Sequence, residues 1–380
     1  MFDIISPAAI REGRATDAYF DRTLDALTGA GRDPHVVAEV SADQFPTGTF
    51  EVLAGLNDAA ELLATREVTV YALREGQLFD GGPVMRIEGQ YTEFARLETA
   101  LLGFLSQASG IATNALRARL VAPETNLLSF GARHVHPSIA AVVERSALIG
   151  GFDGFSHVAA GELLDREPSG TMPHALMLCF GEQEPAWEAF DTHVDDSVPR
   201  ILLCDTFDDE GIEAIRAAET VDLDGIRLDT PRSRRGDFRA IVNEVKWRLD
   251  EAGFEDVGVF LSGGLTPTEL AELRELADGF GVGEYVSNAT PVDFSLDIVS
   301  VDGETIGKRG KLPGPKTVVR TKDGEHVVQP ATEATPSEQS LLEPLVDDGE
   351  TVRTFNIDEA ATRARDDASL VGFEPLQDEP

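Results

Sequence analysis

Cysteine is nearly absent, with Cys179 and Cys204 the only two in 380 residues. Two thiols cannot build a disulfide framework or a four-cysteine zinc site, so a reduced, cytoplasmic protein without zinc is expected. No run approaches the roughly 18 to 20 apolar residues that a membrane span requires, so no membrane partner is expected. The opening Met1-Phe2-Asp3-Ile4-Ile5-Ser6-Pro7 lacks the basic start and long apolar stretch of a signal peptide. Lysine is the scarcest charge. Only Lys246, Lys308, Lys311, Lys316 and Lys322 occur, which leaves 27 of the 32 basic residues as arginine. No long basic stripe is visible, so a nucleic-acid partner is not expected either.

What the chain has in excess is carboxylate: 68 Asp and Glu give a net charge of −36 and a pI near 4.4. The acids are spread along the chain rather than gathered in a tail. At ordinary ionic strength their self-repulsion weakens the compact state. At molar salt the Debye length shrinks to roughly 3 Å, which screens that repulsion while hydrated carboxylates keep the protein soluble. The composition therefore points to a very salty cell interior. A hydrophobic content of 42% is ample for a folded core.

The first hundred residues mix short strands, such as Val68 to Leu73 and Val84 to Ile87, with helices. A long helix is expected from about Phe94 to Leu120, where Leu97, Leu101, Leu105, Ala108, Ile111, Ala112 and Ala115 recur at helical spacing. From about residue 125 short apolar runs alternate with amphipathic helical segments. The runs expected as strands are Leu127 to Phe130, Gly154 to Ser156, Arg200 to Cys204, Gly225 to Leu228, Val257 to Leu261 and Val282 to Val286. This alternation argues for parallel βαβ units in a barrel-like α/β domain. Polar residues follow the runs: Asp205, Asp229, Ser262 and Ser287. Such residues can be ordinary helix N-caps, but the C-terminal edge of parallel strands is also where α/β enzymes build active sites.

Read together, Ser129-Phe130-Gly131-Ala132-Arg133, Gly150-Gly151-Phe152-Asp153-Gly154-Phe155-Ser156 and Gly170-Thr171-Met172-Pro173-His174 resemble the central signature of nicotinate phosphoribosyltransferases. Thr16-Asp17-Ala18-Tyr19, Leu203-Cys204-Asp205-Thr206, Gly225 to Thr230, Ser262-Gly263-Gly264 and Leu312 to Lys316 follow the family's order. The resemblance runs from about residue 10 to 320. It implies an incomplete, seven-stranded TIM-like α/β barrel with an α/β sandwich lobe built from both termini. The boundaries expected are 1–120 for the N-terminal lobe with its linking helix, 121–290 for the barrel, and 291–380 for a segment returning to the lobe with an acidic tail.

The same resemblance implies transfer of ribose 5-phosphate from phosphoribosyl pyrophosphate (PRPP) to nicotinate in NAD salvage, with Mg²⁺ accompanying PRPP and ATP as co-substrate. His174 corresponds to the family's transiently phosphorylated histidine, and neutral imidazole is a good nucleophile toward phosphorus. Tyr19 and Phe130 correspond to the aromatic pair around the pyridine ring, and Arg133 to the carboxylate-binding guanidinium. Many relatives carry a second arginine next, where this chain has His134; His134 or His136 is left to share the substrate contact. Asp205 and Asp229 are expected on the ribose and metal side, with Arg227 and Thr230 beside them. Ser262, Gly263, Gly264 and Gly283 are candidates to cradle phosphate. Lys308, Arg309 and Lys311, the densest basic cluster, would supply charge for pyrophosphate or ATP. Because Tyr19 serves a neighbouring subunit in the family, a homodimer or larger homo-oligomer is implied.

The competing readings are a nicotinamide or quinolinate phosphoribosyltransferase, an inactive barrel used for binding, and a βα-barrel lyase or aldolase. The last needs a Schiff-base lysine at a strand end, and the barrel region offers only Lys246. A zinc cluster of His134, His136, His157 and His174 lacks the required carboxylate or cysteine spacing.

Overall fold

Residues 4–42, 44–46, 50–229, 236–321, 326–332 and 340–373 are described by the computed structural model. Two units emerge, one from residues up to 116 with 149–151 and those from 289 onward, the other from 117–148 and 152–288.

The first unit is built on a seven-stranded antiparallel sheet. In spatial order its strands are Glu304–Thr305, Phe294–Val301, His35–Ala42, Pro83–Gln90, Val68–Ala72, Glu343–Asp347 and Glu350–Thr351. Val68, Val70 and Ala72 are buried while the residues between them are half-buried, the period of two that puts one face on the core. Leu56, Leu62 and Leu63 of the helix Leu56–Leu63, with Leu101 and Leu105 of the helix Glu98–Val121, complete that core. The helix expected from Phe94 thus begins at Glu98, after two short turns at Tyr91–Phe94 and Ala95–Leu97.

The second unit carries six parallel strands. They are β1 (Asn126–Ser129), β2 (Gly154–Phe155), β3 (Ile201–Leu203), β4 (Gly225–Leu228), β5 (Gly258–Ser262) and β6 (Gly279–Val282), in the order β2-β1-β6-β5-β4-β3. Between them run α1 (Ala140–Ile149), α2 (Val158–Leu164), α3 (His174–Phe180), α4 (Gln183–His193), α5 (Glu210–Thr220), α6 (Phe238–Glu251) and α7 (Pro267–Leu273); α8 (Glu284–Ser287) follows β6. Local chemistry sets the helix starts. The Asp209 and Asp237 side chains accept from N–H groups at the starts of α5 and α6. Thr266 and Glu269 form a capping box around Pro267 at α7.

Two expectations are corrected. The parallel sheet has six strands among the described residues where seven were expected, and none of them joins β2 to β3. The chain there passes Pro168 and Pro173, which cannot donate to a strand ladder, and continues as α3 and α4. The strand expected at Val282–Val286 lies earlier, at Gly279–Val282, and Glu284–Ser287 is helical. Glycines at 279 and 281 hide this strand from a propensity reading, yet side chains there would strike the rings of Phe260 and Phe130. Among the described residues, no helix is long and apolar enough to cross a membrane.

Candidate active site

In a parallel sheet all strands end on one side, so residues far apart in sequence meet there. Phe130 follows β1, Ser156 follows β2, Asp205 and Asp229 follow β3 and β4, Ser262 closes β5 and Gly283 follows β6. Backbone bonds across neighbouring strand ends fix several of them: the Phe130 N–H donates to the Val282 carbonyl at 2.9 Å, and Cys204 N–H to the Arg227 carbonyl at 3.0 Å.

A polar chain joins three of these ends, those of β3, β4 and β5. His174, the first residue of α3, has Nε2 2.9 Å from Asp205 Oδ1. The other Asp205 oxygen accepts the Asp229 backbone N–H at 2.7 Å. Asp229 Oδ2 accepts from the Arg227 guanidinium at 2.9 Å and lies 3.9 Å from His174 Nδ1, while its Oδ1 accepts from the Ser262 hydroxyl. Arg227 also donates to the Thr171 hydroxyl and sits with its guanidinium carbon 5.8 Å from the centre of the Phe130 ring. The Asp205 side chain is 0% exposed and that of Asp229 21%. Asp205, expected beside Asp229 as a metal ligand, is sealed from solvent; Asp229, although its oxygens also meet Arg227 and Ser262, is the carboxylate that lines the cavity.

That cavity, of about 730 Å³, is lined by Phe130, Arg133, Ser156, His157, Thr171, Arg227 and Asp229 among others. Arg133 stands exposed on a short 3-10 turn, Ala132–His134, that continues from β1. The structure therefore brings Phe130, Arg133, Arg227 and Asp229 onto one cavity, with buried Asp205 bonded to the Asp229 backbone and part-exposed His174 bonded to Asp205. His134 and His136 do not line it: His136 accepts the Ser138 N–H, and His134 faces Ser287 and the backbone at Gly283. Gly263 and Gly264, with φ of +103° and +74°, form a loop conformation that side chains rarely adopt. Thr230 and the basic run Arg232 to Arg235 lie outside the described residues.

Tyr19 belongs to the first unit, on the helix Ala18–Gly29, and is 55% exposed against Phe20. Lys308, Arg309 and Lys311 are in the same unit, on the loop after Glu304–Thr305. Lys308 and Lys311 face Asp297 at 3.8 and 3.5 Å.

Comparison with known proteins now bears on this geometry. Residues 17–109 and 111–297 match the N-terminal and C-terminal domains of quinolinate phosphoribosyl transferase. A nicotinate phosphoribosyltransferase of Mycobacterium tuberculosis is 30% identical over 336 residues, 82% of this chain and 68% of its own. The chain belongs to the nicotinate and quinolinate phosphoribosyltransferase family. Within it, the Bacillus subtilis nicotinate phosphoribosyltransferase is 33% identical over 276 residues, and the match spans 54% of that longer protein. The crystal structure of a nicotinate-nucleotide pyrophosphorylase from Pyrococcus furiosus is 43% identical, with a TM-score of 0.94 over 98% of this chain and 99% of the other. Human nicotinic acid phosphoribosyltransferase shares the fold, with a TM-score of 0.74 at 21% identity over 95% of both chains.

Sequence reasoning missed two residues at this family member's site. Thr171 was read only as part of the motif before His174, yet its hydroxyl takes a guanidinium bond from Arg227. Glu213 was not singled out at all. It is buried on α5, and its carboxylate accepts the backbone N–H groups of Thr206, Phe207 and Asp208, so it folds the loop that carries Asp205. No local pattern marks it, because its partners lie upstream, in the loop before the helix. Burial also pushes the Glu144 carboxyl, beside Ser129 of β1, up to about 7, with the Ser129 hydroxyl pulling it back down.

Proposed function

We propose that this protein is a nicotinate phosphoribosyltransferase: it forms nicotinate mononucleotide and pyrophosphate from nicotinate and PRPP, with ATP as co-substrate, in NAD salvage. The observation that carries the reading is one cavity presenting an aromatic ring, Phe130, together with an exposed guanidinium, Arg133, and a carboxylate, Asp229. In the reaction the pyridine nitrogen attacks the anomeric carbon of ribose as its bond to pyrophosphate breaks, and pyrophosphate leaves with the electron pair. Positive charge grows on the sugar in between, and Asp229 is the anion available to stabilise it. Arg133 supplies a planar fork for the nicotinate carboxylate. Mg²⁺ arriving with PRPP would be held by Asp229 and would neutralise the departing pyrophosphate. Gly263, Gly264 and Gly283 offer backbone N–H groups for the 5′-phosphate.

His174 is assigned to ATP coupling. With Nε2–H donated to Asp205, the lone pair remains on Nδ1, the nitrogen that would bond to the γ-phosphorus of ATP as the β,γ P–O bond breaks and ADP leaves with its electron pair. A quinolinate enzyme needs cations for two carboxylates. The second cation here, Arg227, is already held by Asp229, which favours a monoacid. Exposed Tyr19 supports a homodimer in which it serves a neighbouring cavity, and the parallel sheet, whose first and last strands are neighbours, supports an incomplete barrel open at β2 and β3. Both cysteines are free, in keeping with a reducing cytoplasm.

Purified protein with nicotinate, PRPP, Mg²⁺ and ATP in molar KCl should yield nicotinate mononucleotide. Product from quinolinate or nicotinamide instead, with none from nicotinate, reassigns the substrate. Arg133→Ala should raise KM for nicotinate by about 100-fold while KM for PRPP holds, since a charge-assisted pair is lost. Salt offers a separate check on the −36 charge. Thermal unfolding should move up by on the order of 10 °C from 0.1 to 2 M KCl as repulsion is screened. A midpoint that ignores KCl would remove the case for a saline cell interior.

A further inference from the structure

Phe130 is held twice. Its backbone N–H is bonded to Val282, and its ring crosses strand β6 at Gly281. Gly281 is buried, does not line the cavity, and is not among the glycines with positive φ. Backbone conformation therefore does not demand glycine there. The ring does. A Cβ on Gly281 would stand 2.5 Å from Phe130 Cδ2, 3.1 Å from Cζ and closer still to Cε2. Real Cβ atoms do not come so near, and the atoms met belong to a rigid ring rather than a flexible tip. Gly279, two residues back and so on the same face, leaves matching room for the edge of Phe260.

We propose that Gly281 is a positioning residue for the pyridine site: its missing side chain sets the depth at which the Phe130 wall stands. The inference rests on the nicotinate reading above. With Gly281 in place the ring edge settles against the strand, while the ring lines the cavity with the Arg227 guanidinium carbon 5.8 Å from its centre. Any side chain at 281 drives the ring toward the space a planar substrate needs. PRPP, recognised through its phosphates and ribose, is little affected. Gly281 is thus a determinant of which flat ring fits, without touching it.

The test is a double-mutant cycle on the full-length protein in molar KCl, comparing wild type, Gly281→Ala, Phe130→Ala and the pair. Gly281→Ala should raise KM for nicotinate on the order of tenfold, with KM for PRPP and kcat at saturating nicotinate nearly unchanged. In the Phe130→Ala background the same substitution should add nothing, because the ring it strikes is gone. Thermal unfolding is measured on the same four proteins. A lowered midpoint for Gly281→Ala alone, restored in the double variant, supports the seat. So does a Gly281→Ala protein that fails to fold while the double variant folds. Additive effects in either measurement, or a double variant that fails equally, overturn it. The unfolding cycle needs no activity, so a wild-type protein inert toward nicotinate sinks the substrate reading and leaves the seat of Phe130 to be judged independently.

Discussion

Replacing Asp229 with alanine should lower kcat by about 10²–10³-fold, the cost of removing a preorganised charge from the place where opposite charge develops. The size follows from what this side chain does at once. Its two oxygens hold the Ser262 hydroxyl and the Arg227 guanidinium, and it is the carboxylate of the network that lines the cavity. Alanine removes the anion and frees Arg227 from its place near Phe130. Asparagine separates the two consequences, since it is close in shape and keeps one acceptor oxygen but carries no charge. If Asp229→Asn loses nearly as much as Asp229→Ala, charge stabilisation dominates. Near-normal turnover with asparagine would mean that Asp229 serves only to hold its neighbours, and the mechanistic role given to it falls. Steady-state kinetics with PRPP and nicotinate varied in turn decide the matter.

The second large effect is on coupling rather than on transfer. His174→Ala should abolish the stimulation by ATP while slower nucleotide formation persists at high PRPP. The geometry adds a control. Removing the imidazole takes one hydrogen bond from a buried carboxylate, a loss of about 1–3 kcal/mol, so some loss of thermal stability accompanies the substitution. His174→Gln can present its side-chain N–H near the place of the imidazole Nε2 that meets Asp205, and it cannot carry a phosphoryl group. It should recover much of the stability and none of the ATP stimulation. Retained ATP stimulation in either variant would falsify the assignment of His174.

Much of this site was legible before any coordinates. Asp205, Asp229 and Ser262 each follow an apolar run, and parallel strands bring such positions to one edge regardless of their separation in sequence. Legibility failed where meaning depends on a neighbour in space. Glycines 279 and 281 fall outside the strand expected at Val282 to Val286 but lie inside β6, where Phe260 and Phe130 occupy the room that side chains would take. The seventh strand expected from resemblance has no counterpart among the described residues, where the chain from Pro168 to α4 offers prolines and helices. Glu213 has no periodic or motif signal, since its three backbone donors are in the loop upstream.

The sequence by itself determined the alternation of strand and helix, the polar residues that close the apolar runs, the acidic composition, and the family's ordered motifs. Each of these is written in neighbouring residues or in composition. Only the tertiary structure decided that Asp205 is sealed from solvent, that Arg227 is already neutralised, and that His134 and His136 turn away from the cavity. Burial and hydrogen-bond partnership arise when distant segments meet, and a carboxylate or guanidinium has no chemical role until its partners and its access to water are set.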